Sequence, residues 1–339
     1  MTPSPVILVI QTAFIGDVVL ATALVEKLHH QFPESAIDFL LRKGNEHLLK
    51  DHPFLRSVII WDKKKRKIKN LFGIIRQVRA KRYDYVINVH RFTSSGLITL
   101  FSGAKIKIGF DKNPLSFCFT RKIKHIIAPG THEVLRNQSL IMELTDEQPA
   151  RPRLYPSQDD YNWIMRYREP GQVRSASPYI CIAPASVWFT KQYPKEKWIE
   201  FIDHVDPNLR VYLLGGQADK PVCEAIRGAS KHPGVVNLAG ELSFLKSAAL
   251  MQFASMNFVN DSAPIHFASA VNAPVTAVFC STVPDFGFGP LSDKRFVVET
   301  TEKLSCRPCG LHGYNACPLG HFKCALSITT AQLNESLRS

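Results

Sequence analysis

The hydrophobic positions of this chain form short continuous runs that alternate with stretches of helical periodicity. Val6–Ile10 is the first run, and Asp17–Phe32 then repeats apolar residues every three to four positions. Continuous apolar runs are typical of strands buried on both faces of a parallel sheet, and the helical stretches are the crossovers between them. The first half is therefore predicted to be an α/β domain. Its other predicted elements are strands at Ala36–Leu41, Val58–Trp61 and Tyr85–Val89 and helices at Glu46–Lys50 and Ile68–Ala80.

The second half repeats the alternation. Tyr179–Ala183 is its first predicted strand, and Lys195–His204 is the helix that follows. A second parallel sheet with right-handed crossovers follows from the same rules. The remaining predicted strands are Val211–Leu214, Val235–Asn237, Asn257–Val259 and Val275–Phe279, and the remaining helices are Lys220–Ala229, Ser243–Ala254 and Ile265–Val271.

Five prolines between residues 146 and 178 interrupt this alternation. Because prolines break helices and strands, the segment is the predicted connection between two domains, although Tyr161–Arg168 within it is predicted to be helical. We expect an N-terminal domain at residues 1–155, a proline-rich connection at 156–178 and a C-terminal domain at 179–339. The predicted fold class is α/β, with two Rossmann-like domains that face each other across a cleft.

Length and composition agree with two ordinary domains. The chain has 339 residues, of which 45% are hydrophobic, and this is enough for two cores. Its charged fraction of 21% argues against disorder. No apolar run approaches the roughly 20 residues that span a bilayer, and the residues before Val6 lack the basic start of a signal peptide. We therefore expect a cytoplasmic protein.

Positive charge is concentrated in the first half. Residues 1–150 contain 23 Lys and Arg against 13 Asp and Glu, whereas residues 151–339 contain 19 against 16. The densest cluster is Lys63–Lys67. This asymmetry predicts an anionic partner for the first half, which could be nucleic acid, a membrane surface or a phosphorylated substrate. The alternative is a solvated basic surface without a partner.

Four polar segments follow predicted strands and open predicted helices. They are Ala13–Asp17, Ser186–Lys191, Gly215–Asp219 and Asn260–His266. Open α/β sheets bind ligands at the carboxyl ends of their strands, so these segments are the candidate active site. A carboxylate from one half and a lysine with a helix start from the other suggest group transfer between two bound substrates.

Asp17 and Lys191 are the candidate catalytic residues. An aspartate in a cleft can act as a general base toward a hydroxyl nucleophile, although Asp17 at a helix start could simply cap the helix. Lys191 can neutralise a departing phosphate, although most lysines are merely exposed to solvent. Ser186 and Thr190 add hydroxyl groups suited to phosphate oxygens.

The segment around Asp261 and Ser262 is the candidate anion site. Backbone N–H groups at a helix start bind anions, and Pro264 in the first turn strengthens the prediction of a helix there. Capping alone would also account for this pattern, and His266 could equally be a core residue. Gly216 is a weak phosphate-loop signal, and Asp219 could bond a ribose hydroxyl. The chain contains no Asp-x-Asp pair, which is the commonest carboxylate clamp for a metal-bound nucleotide.

Four of the eight cysteines are clustered near the C-terminus, with His321 close by. Such a cluster can hold zinc or another thiophilic metal, whereas reduced thiols or disulfides are the alternatives. Because the cluster follows the predicted sheet, we expect a structural or lid role. The candidate metal ligands are Cys306, Cys309, Cys317 and Cys324.

Taken together, these motifs resemble glycosyltransferase family 9, the bacterial lipopolysaccharide heptosyltransferases. The resemblance rests on Ile15–Thr22, on Lys191–Pro194, on the Asn260–His266 motif and on Phe279–Pro290. The tail Cys306–Cys324 looks like that of the second heptosyltransferase branch. Ala263 and Cys280 depart from the family pattern, in which glycine is usual at these positions.

The resemblance implies a GT-B fold, an acceptor-binding first domain and a nucleotide-sugar-binding second domain. It implies inverting transfer, without metal or other required cofactor, from ADP-L-glycero-D-manno-heptose to a lipid A–Kdo-type inner-core sugar. Asp17 matches the general base and Lys191 the diphosphate-binding lysine. Ser186 matches a phosphate-contacting hydroxyl of the family, and Asp261, Ser262 and His266 match its donor-site loop. With Thr190, Gly216 and Asp219 from the motifs themselves, these residues are the predicted donor-binding set. The predicted acceptor-binding set is Gly16, Lys63, Lys64, Lys65, His90, Arg91 and Arg136.

The resemblance and the basic first half together predict an enzyme peripheral to the inner membrane. Two alternatives remain at this point. One is a family 9 transferase that uses another nucleotide sugar for a different surface glycan. The other is a nucleic-acid-binding protein that uses the basic first half, but the aromatic residues expected to interleave with its cations are missing. The sequence does not indicate the oligomeric state.

Overall fold

The computed structural model describes residues 4–168 and 178–338. Within them the chain divides into two compact units, one that ends at Tyr155 and one that begins at Pro156. Each unit contains one six-stranded sheet in which every strand pair is parallel. The α/β fold class predicted from the sequence is confirmed.

The first unit has the strand order β3-β2-β1-β4-β5-β6. Strand β1 lies beside both β2 and β4, so the chain reverses its direction across the sheet between β1 and β4. Its elements are β1 (Val6–Ile10), α1 (Ile15–Gln31), β2 (Ala36–Arg42), β3 (Ser57–Trp61), α2 (Lys67–Ala80), β4 (Tyr85–Asn88), α3 (Thr93–Phe101), β5 (Ile106–Phe110), β6 (Arg121–Ile123) and α4 (Glu133–Gln138).

The second unit has the order β12-β11-β10-β7-β8-β9, with the reversal between β7 and β10. Its strands are β7 (Tyr179–Ala183), β8 (Arg210–Leu213), β9 (Val235–Asn237), β10 (Met256–Asn260), β11 (Val275–Phe279) and β12 (Arg295–Glu299). Its helices are α5 (Gln158–Arg168), α6 (Lys195–Asp203), α7 (Lys220–Ala229), α8 (Phe244–Gln252), α9 (Ala263–Ala270), α10 (Lys323–Leu326) and α11 (Thr330–Arg338).

Burial explains why the continuous apolar runs predicted strands. The central strands β7, β10 and β11 are buried at every residue, and β1 is buried from Ile7 to Ile10. A strand covered on both faces needs apolar side chains at successive positions, because each face packs against helices. Helix α2, for example, packs Ile74 and Val78 against the core of the first unit.

The hydrophobic pattern did not predict α3, β5, β6 and α4 in the first unit or β12, α10 and α11 in the second. Strand β5 alternates apolar residues with Lys107 and Gly109, and β6 has only three residues, of which two are basic. Neither has the continuous apolar run of a central strand, because β6 is an edge strand and β5 lies beside it. Helix α3 opens with Thr-Ser-Ser-Gly, a composition that is typical of loops.

The predicted proline-rich connection includes helix α5, which packs against α8. Residues 169–177 of that predicted segment lie outside the described residues. None of the helices in the described part of the chain is long and apolar enough to cross a bilayer.

A buried carboxylate joins three elements of the first unit. Asp38 on β2 is fully buried and accepts hydrogen bonds from Arg56 Nη2 at 2.7 Å, Lys81 Nζ at 2.8 Å and Tyr83 Oη at 2.6 Å. Burial opposes the charged form, but these donors and Ser57 outweigh it and lower the pKa of Asp38 to about 2. The ionised carboxylate therefore stabilises the folded state.

We predict that Asp38→Asn lowers the free energy of unfolding of the first unit by about 2.5 kcal/mol near neutral pH. Since the folded-state pKa lies below the unfolded value, this contribution is complete above that unfolded value and is lost as the pH falls toward 2. The difference from wild type should shrink to about half near pH 3. Hydrogen exchange in urea, read on peptides from residues 4–155, measures it.

Glu34→Gln is the matched control for Asp38→Asn, because Glu34 is an exposed carboxylate of the same unit. It should change the unfolding free energy by no more than about 0.5 kcal/mol. A pH-independent loss in Asp38→Asn would show that packing, and not the charge, is responsible.

Candidate active site

In both units the candidate catalytic residue follows a strand at which the chain reverses direction across the sheet. The loop after β1 leads into Asp17, and His90 and Arg91 follow β4, its neighbour in the sheet. In the second unit the loop after β7 carries Lys191, and Asp261 follows the neighbouring β10. Ligands of open α/β sheets bind at such reversal points, outside the carboxyl ends of the strands.

Asp17 lies in the first turn of α1, whose N-cap residue is Phe14. Its Oδ2 accepts a hydrogen bond from the Phe14 backbone N–H at 3.1 Å, so the capping role considered from the sequence is present. Burial and the nearby Glu133 carboxylate raise the pKa of Asp17 to about 6, against the opposing effects of the Phe14 N–H and Arg91. A carboxylate with that pKa is a better proton acceptor than an ordinary aspartate.

Lys63 and His90 meet beside the loop that leads to Asp17. Lys63 Nζ donates to the carbonyl and to the hydroxyl of Thr12, both at 2.9 Å, and the same hydroxyl lies 3.1 Å from His90 Nδ1. Burial, followed by Lys63 and Arg91, lowers the pKa of His90 to about 3, and burial lowers that of Lys63 to about 8. His90 is therefore neutral at physiological pH.

Lys64 and Lys65 are placed differently from Lys63. Both side chains are exposed, and the backbone N–H groups of both residues donate to the carboxylate of Asp62. Of these three predicted acceptor-binding lysines, therefore, Lys63 alone contacts the loop that leads to Asp17. Gly16 is buried in the first turn of α1.

Arg91 lies at the edge of a cavity of about 550 Å³ that is lined by Arg91, Phe92, Lys112, His125 and Ile127. Its Nη1 lies 3.3 Å from His125 Nδ1. Burial, followed by Arg91 and Arg136, lowers the pKa of His125 to about 4. The cavity therefore has two basic side chains in its wall, Arg91 and Lys112, and this suits an anionic group.

Arg136 is held by Glu133, whose Oε2 accepts from Nε at 2.8 Å and from Nη2 at 2.7 Å. Sequence reasoning missed Glu133, Lys112 and His125, because no motif contains them. Glu133 lies one helical turn from Arg136, but only the fold brings it close to Asp17 and places Lys112 and His125 beside Arg91.

In the second unit, Lys191 Nζ forms an ion pair with Asp261 Oδ2 at 2.7 Å. Thr282 Oγ1 donates to the same oxygen at 2.5 Å, and Ser186 Oγ donates to the Asp261 carbonyl at 3.3 Å. The structure thus brings Lys191, predicted to be catalytic, together with two predicted donor-binding residues, Ser186 and Asp261. Thr282, which was not predicted, belongs to the same cluster.

Asn260, at the end of β10, fixes the loop after β7 that carries Ser186 and Lys191. Its fully buried amide accepts from the Tyr193 N–H at 3.0 Å and donates to the Pro184 carbonyl at 2.6 Å. Tyr193 and Pro184 lie at either end of the loop after β7, so one side chain on β10 holds both ends of that loop.

Ser262 is the N-cap residue of α9, although its side chain makes no capping hydrogen bond; its hydroxyl donates to the Asn260 carbonyl at 3.2 Å. His266 lies in this helix and is buried, with its ring 6.3 Å from that of Phe288. The first turn of α9 therefore follows directly on Asp261.

Two predicted donor-binding residues, Gly216 and Asp219, lie after β8, at the same edge of the sheet. Asp219 Oδ2 accepts from the Gly216 N–H at 2.8 Å. The Asp219 side chain packs so closely against the backbone of residue 215 that this residue must be glycine, because a Cβ there would lie 2.7 Å from the Cβ of Asp219.

Thr190 occupies a different environment from the one expected of a phosphate ligand. It is 1% exposed, and its Oγ1 accepts from the Tyr314 N–H at 2.8 Å and from Ser281 Oγ at 3.0 Å. A Cβ on Gly313, whose φ is +75°, would lie 2.8 Å from this hydroxyl. Thr190 thus links the loop after β7 to the cysteine-rich tail.

Arg307, between the first two clustered cysteines, anchors the tail to the end of β11. It donates to the carbonyls of Cys280 at 2.7 Å and Thr282 at 2.8 Å and pairs with Glu299 at 2.6 Å. These contacts hold the tail against the segment that carries Thr282.

The clustered thiols do not form a metal-holding group in the structure. Cys306 Sγ lies 3.9 Å from His321 Nε2, but no three His, Cys, Asp or Glu side chains of residues 4–168 and 178–338 are arranged around a common point. Burial and the neighbouring thiols raise the pKa of Cys324 to about 11. Metal binding by Cys306, Cys309, Cys317 and Cys324 therefore stays a prediction.

Comparison with known proteins identifies relatives over most of the chain. The family model described as "Glycosyltransferase family 9 (heptosyltransferase)" matches residues 71–312. Lipopolysaccharide heptosyltransferase 3 of Escherichia coli K12 is 29% identical over 279 residues, which are 79% of this chain and 80% of the relative.

Two solved structures share the fold over nearly the whole chain. E. coli ADP-heptose lipopolysaccharide heptosyltransferase II has a TM-score of 0.80 at 23% identity and covers 98% of this chain and 97% of its own. A family 9 glycosyltransferase of Veillonella parvula has a TM-score of 0.84 at 19% identity, with coverage of 98% and 96%. These likenesses confirm the GT-B fold class. Relatives called heptosyltransferase 3 and II are both similar, so the branch within the family stays open.

Proposed function

Since this chain belongs to glycosyltransferase family 9, we propose that it transfers heptose from ADP-L-glycero-D-manno-heptose to an inner-core lipopolysaccharide sugar. The transfer would proceed with inversion and without metal. The observation that carries the mechanistic part of this proposal is Asp17, a carboxylate at the reversal point of the first sheet with a pKa of about 6. At neutral pH it is largely ionised and able to accept a proton.

The proposed reaction is a single displacement. Asp17 removes the proton from an acceptor hydroxyl, and that oxygen forms a bond to the anomeric carbon of the heptose. The bond from the anomeric carbon to the diphosphate oxygen breaks, and ADP leaves on the opposite face. One displacement inverts the anomeric configuration. The two units must bring both substrates together for this step.

Lys191 is proposed to stabilise the negative charge that develops on the departing diphosphate. Its ion pair with Asp261 at 2.7 Å supports this role, because it holds the ammonium beside the first turn of α9. Backbone N–H groups at that helix start would supply further donors. A cation and a helix start can replace the metal clamp whose Asp-x-Asp motif the sequence lacks.

The acceptor is proposed to carry a phosphate or carboxylate and to belong to a membrane-borne lipid A–Kdo-type glycolipid. The cavity beside Arg91 and Lys112 supports an anionic acceptor, since both cations line it. The reaction would then take place at the cytoplasmic face of the inner membrane.

Other nucleotide sugars are the main alternative donors. Thermal-shift measurements with ADP-, GDP- and UDP-sugars distinguish these donors from one another. A ligand at 100 times its Kd should add about 2.7 kcal/mol of stability.

We predict that Asp17→Asn lowers kcat by about 10²–10⁴-fold while ADP still binds. In the wild type, kcat/KM should fall as the pH drops through about 6, because protonated Asp17 accepts no proton. The variant should lack this acidic limb. Steady-state kinetics with ADP-heptose across this pH range test both effects.

Asp51→Asn is the control for this series, because Asp51 is an exposed carboxylate with φ of +62°, a conformation that asparagine also tolerates. It should retain wild-type kinetics. Turnover by Asp17→Asn within a few-fold of wild type would rule out the general-base role.

We predict that Lys191→Gln weakens ADP binding by roughly tenfold or more, because a charge-assisted hydrogen bond contributes about 1.5–3 kcal/mol. Calorimetric titration with ADP measures this loss. Lys195→Gln, which removes an exposed lysine of the following helix, should bind ADP like the wild type. EDTA should leave wild-type turnover unchanged, and a strict requirement for a divalent ion would contradict the proposed role of Lys191.

A further inference from the structure

Helix α2 and its flanks hold an unusual density of positive charge. Residues 63–83 contain ten Lys and Arg and no Asp or Glu. Two of these cations are engaged within the fold, Lys63 with Thr12 and Lys81 with Asp38. Lys64 to Lys67, Lys69, Arg76 and Arg79 are exposed. The basic character of the first half therefore has a defined place on its surface.

The exposed face of α2 also carries two large apolar side chains. Ile68 is 72% exposed and Phe72 is 67% exposed, whereas Ile74 and Val78 on the opposite face are buried. Ile68, Phe72 and Arg76 are spaced four residues apart, so they form one stripe along the helix. Lys69 lies beside Ile68 on the helix. We call Ile68, Lys69, Phe72 and Arg76 the α2 stripe.

The composition of the α2 stripe selects its partner. A helix that lies in a bilayer interface has apolar side chains in the middle of its exposed face and Lys or Arg at the edges. A second copy of this chain is disfavoured, because two such stripes would bring like charges together. Single-stranded nucleic acid is bound through several successive stacked aromatic rings, whereas the α2 stripe has one ring, that of Phe72, beside aliphatic Ile68.

We propose that the α2 stripe docks on an anionic lipid bilayer and inserts Ile68 and Phe72 among the headgroups and upper acyl chains. This inference deepens the proposed function and rests on its membrane-borne acceptor. Lys63, which precedes α2, contacts Thr12 in the loop that leads to Asp17. Docking through α2 therefore holds the candidate base close to the lipid surface.

The test is binding of the full chain to vesicles, measured by flotation. Vesicles of equal parts phosphatidylglycerol and phosphatidylcholine should bind the wild type, and pure phosphatidylcholine should bind it far less. Phe72→Ser should weaken binding to the mixed vesicles by roughly tenfold or more, because it removes one inserted ring. Lys69→Gln and Arg76→Gln should each weaken it by about fivefold.

Phe117→Ser is the matched control, since Phe117 is also 72% exposed in the same unit but lies outside the α2 stripe. It should bind vesicles like the wild type. A second measurement uses Phe72→Trp, whose added fluorescence should be quenched by brominated lipid if the side chain is inserted.

Three results would overturn the proposal. Phe72→Ser could bind the mixed vesicles as tightly as wild type, which would show that the contact is electrostatic and that Phe72 is not inserted. Phe72→Trp could escape quenching, or light scattering could show a dimer that Phe72→Ser separates, which would make a second copy the partner. ADP binding, measured on the same variants, tests the donor site separately, so failure of docking and failure of the proposed transferase are distinguishable.

Discussion

The amide of Asn260 is the interaction on which the second unit's candidate site depends. It makes two buried hydrogen bonds to the ends of the loop after β7, at 3.0 Å to Tyr193 and 2.6 Å to Pro184. A buried donor or acceptor that loses its partner costs about 1–3 kcal/mol, so this loop has little freedom to move away from β10. Lys191 and Ser186 belong to the loop, and Asp261 directly follows Asn260. One side chain thus sets the distances among all three.

In the first unit, burial and neighbouring charges determine the pKa of the candidate base, Asp17. Asp17 has one oxygen fixed by the Phe14 N–H, while Glu133 and Arg91 act on it in opposite directions. Burial and Glu133 prevail, so the carboxyl retains a raised pKa despite a cation and two N–H groups nearby. The same helix start could have held an ordinary capping aspartate. The difference lies in residues more than 70 positions away along the chain.

The sequence was informative about the central strands and less so about the sheet edges. Strands β1, β7, β10 and β11 were predictable because burial on both faces requires continuous apolar runs. The loops with Asp17, Lys191 and Asp261 were predictable because each follows such a strand. Strand β6 was not, since an edge strand of three residues needs little hydrophobicity.

Within the candidate site, long-range contacts limited prediction. Thr190 stands among the predicted phosphate ligands, but its hydroxyl is bound by Tyr314 and Ser281, far away in sequence. Glu133 and His125 belong to no local motif. A motif identifies the strand end where a residue lies, but hydrogen-bond partners and pKa values depend on what the fold brings there.

The hydrogen bonds between Thr190 and Tyr314 also limit how segments of this protein can be exchanged in engineered chimeras. The tail supplies a backbone donor and a backbone acceptor to the loop after β7, through both the hydroxyl and the main chain of Thr190. An engineered chimera that moved this loop into another scaffold without residues 306–324 would leave those polar groups buried and unsatisfied. The loop and the cysteine-rich tail are therefore one module for recombination, although more than a hundred residues separate them in the chain.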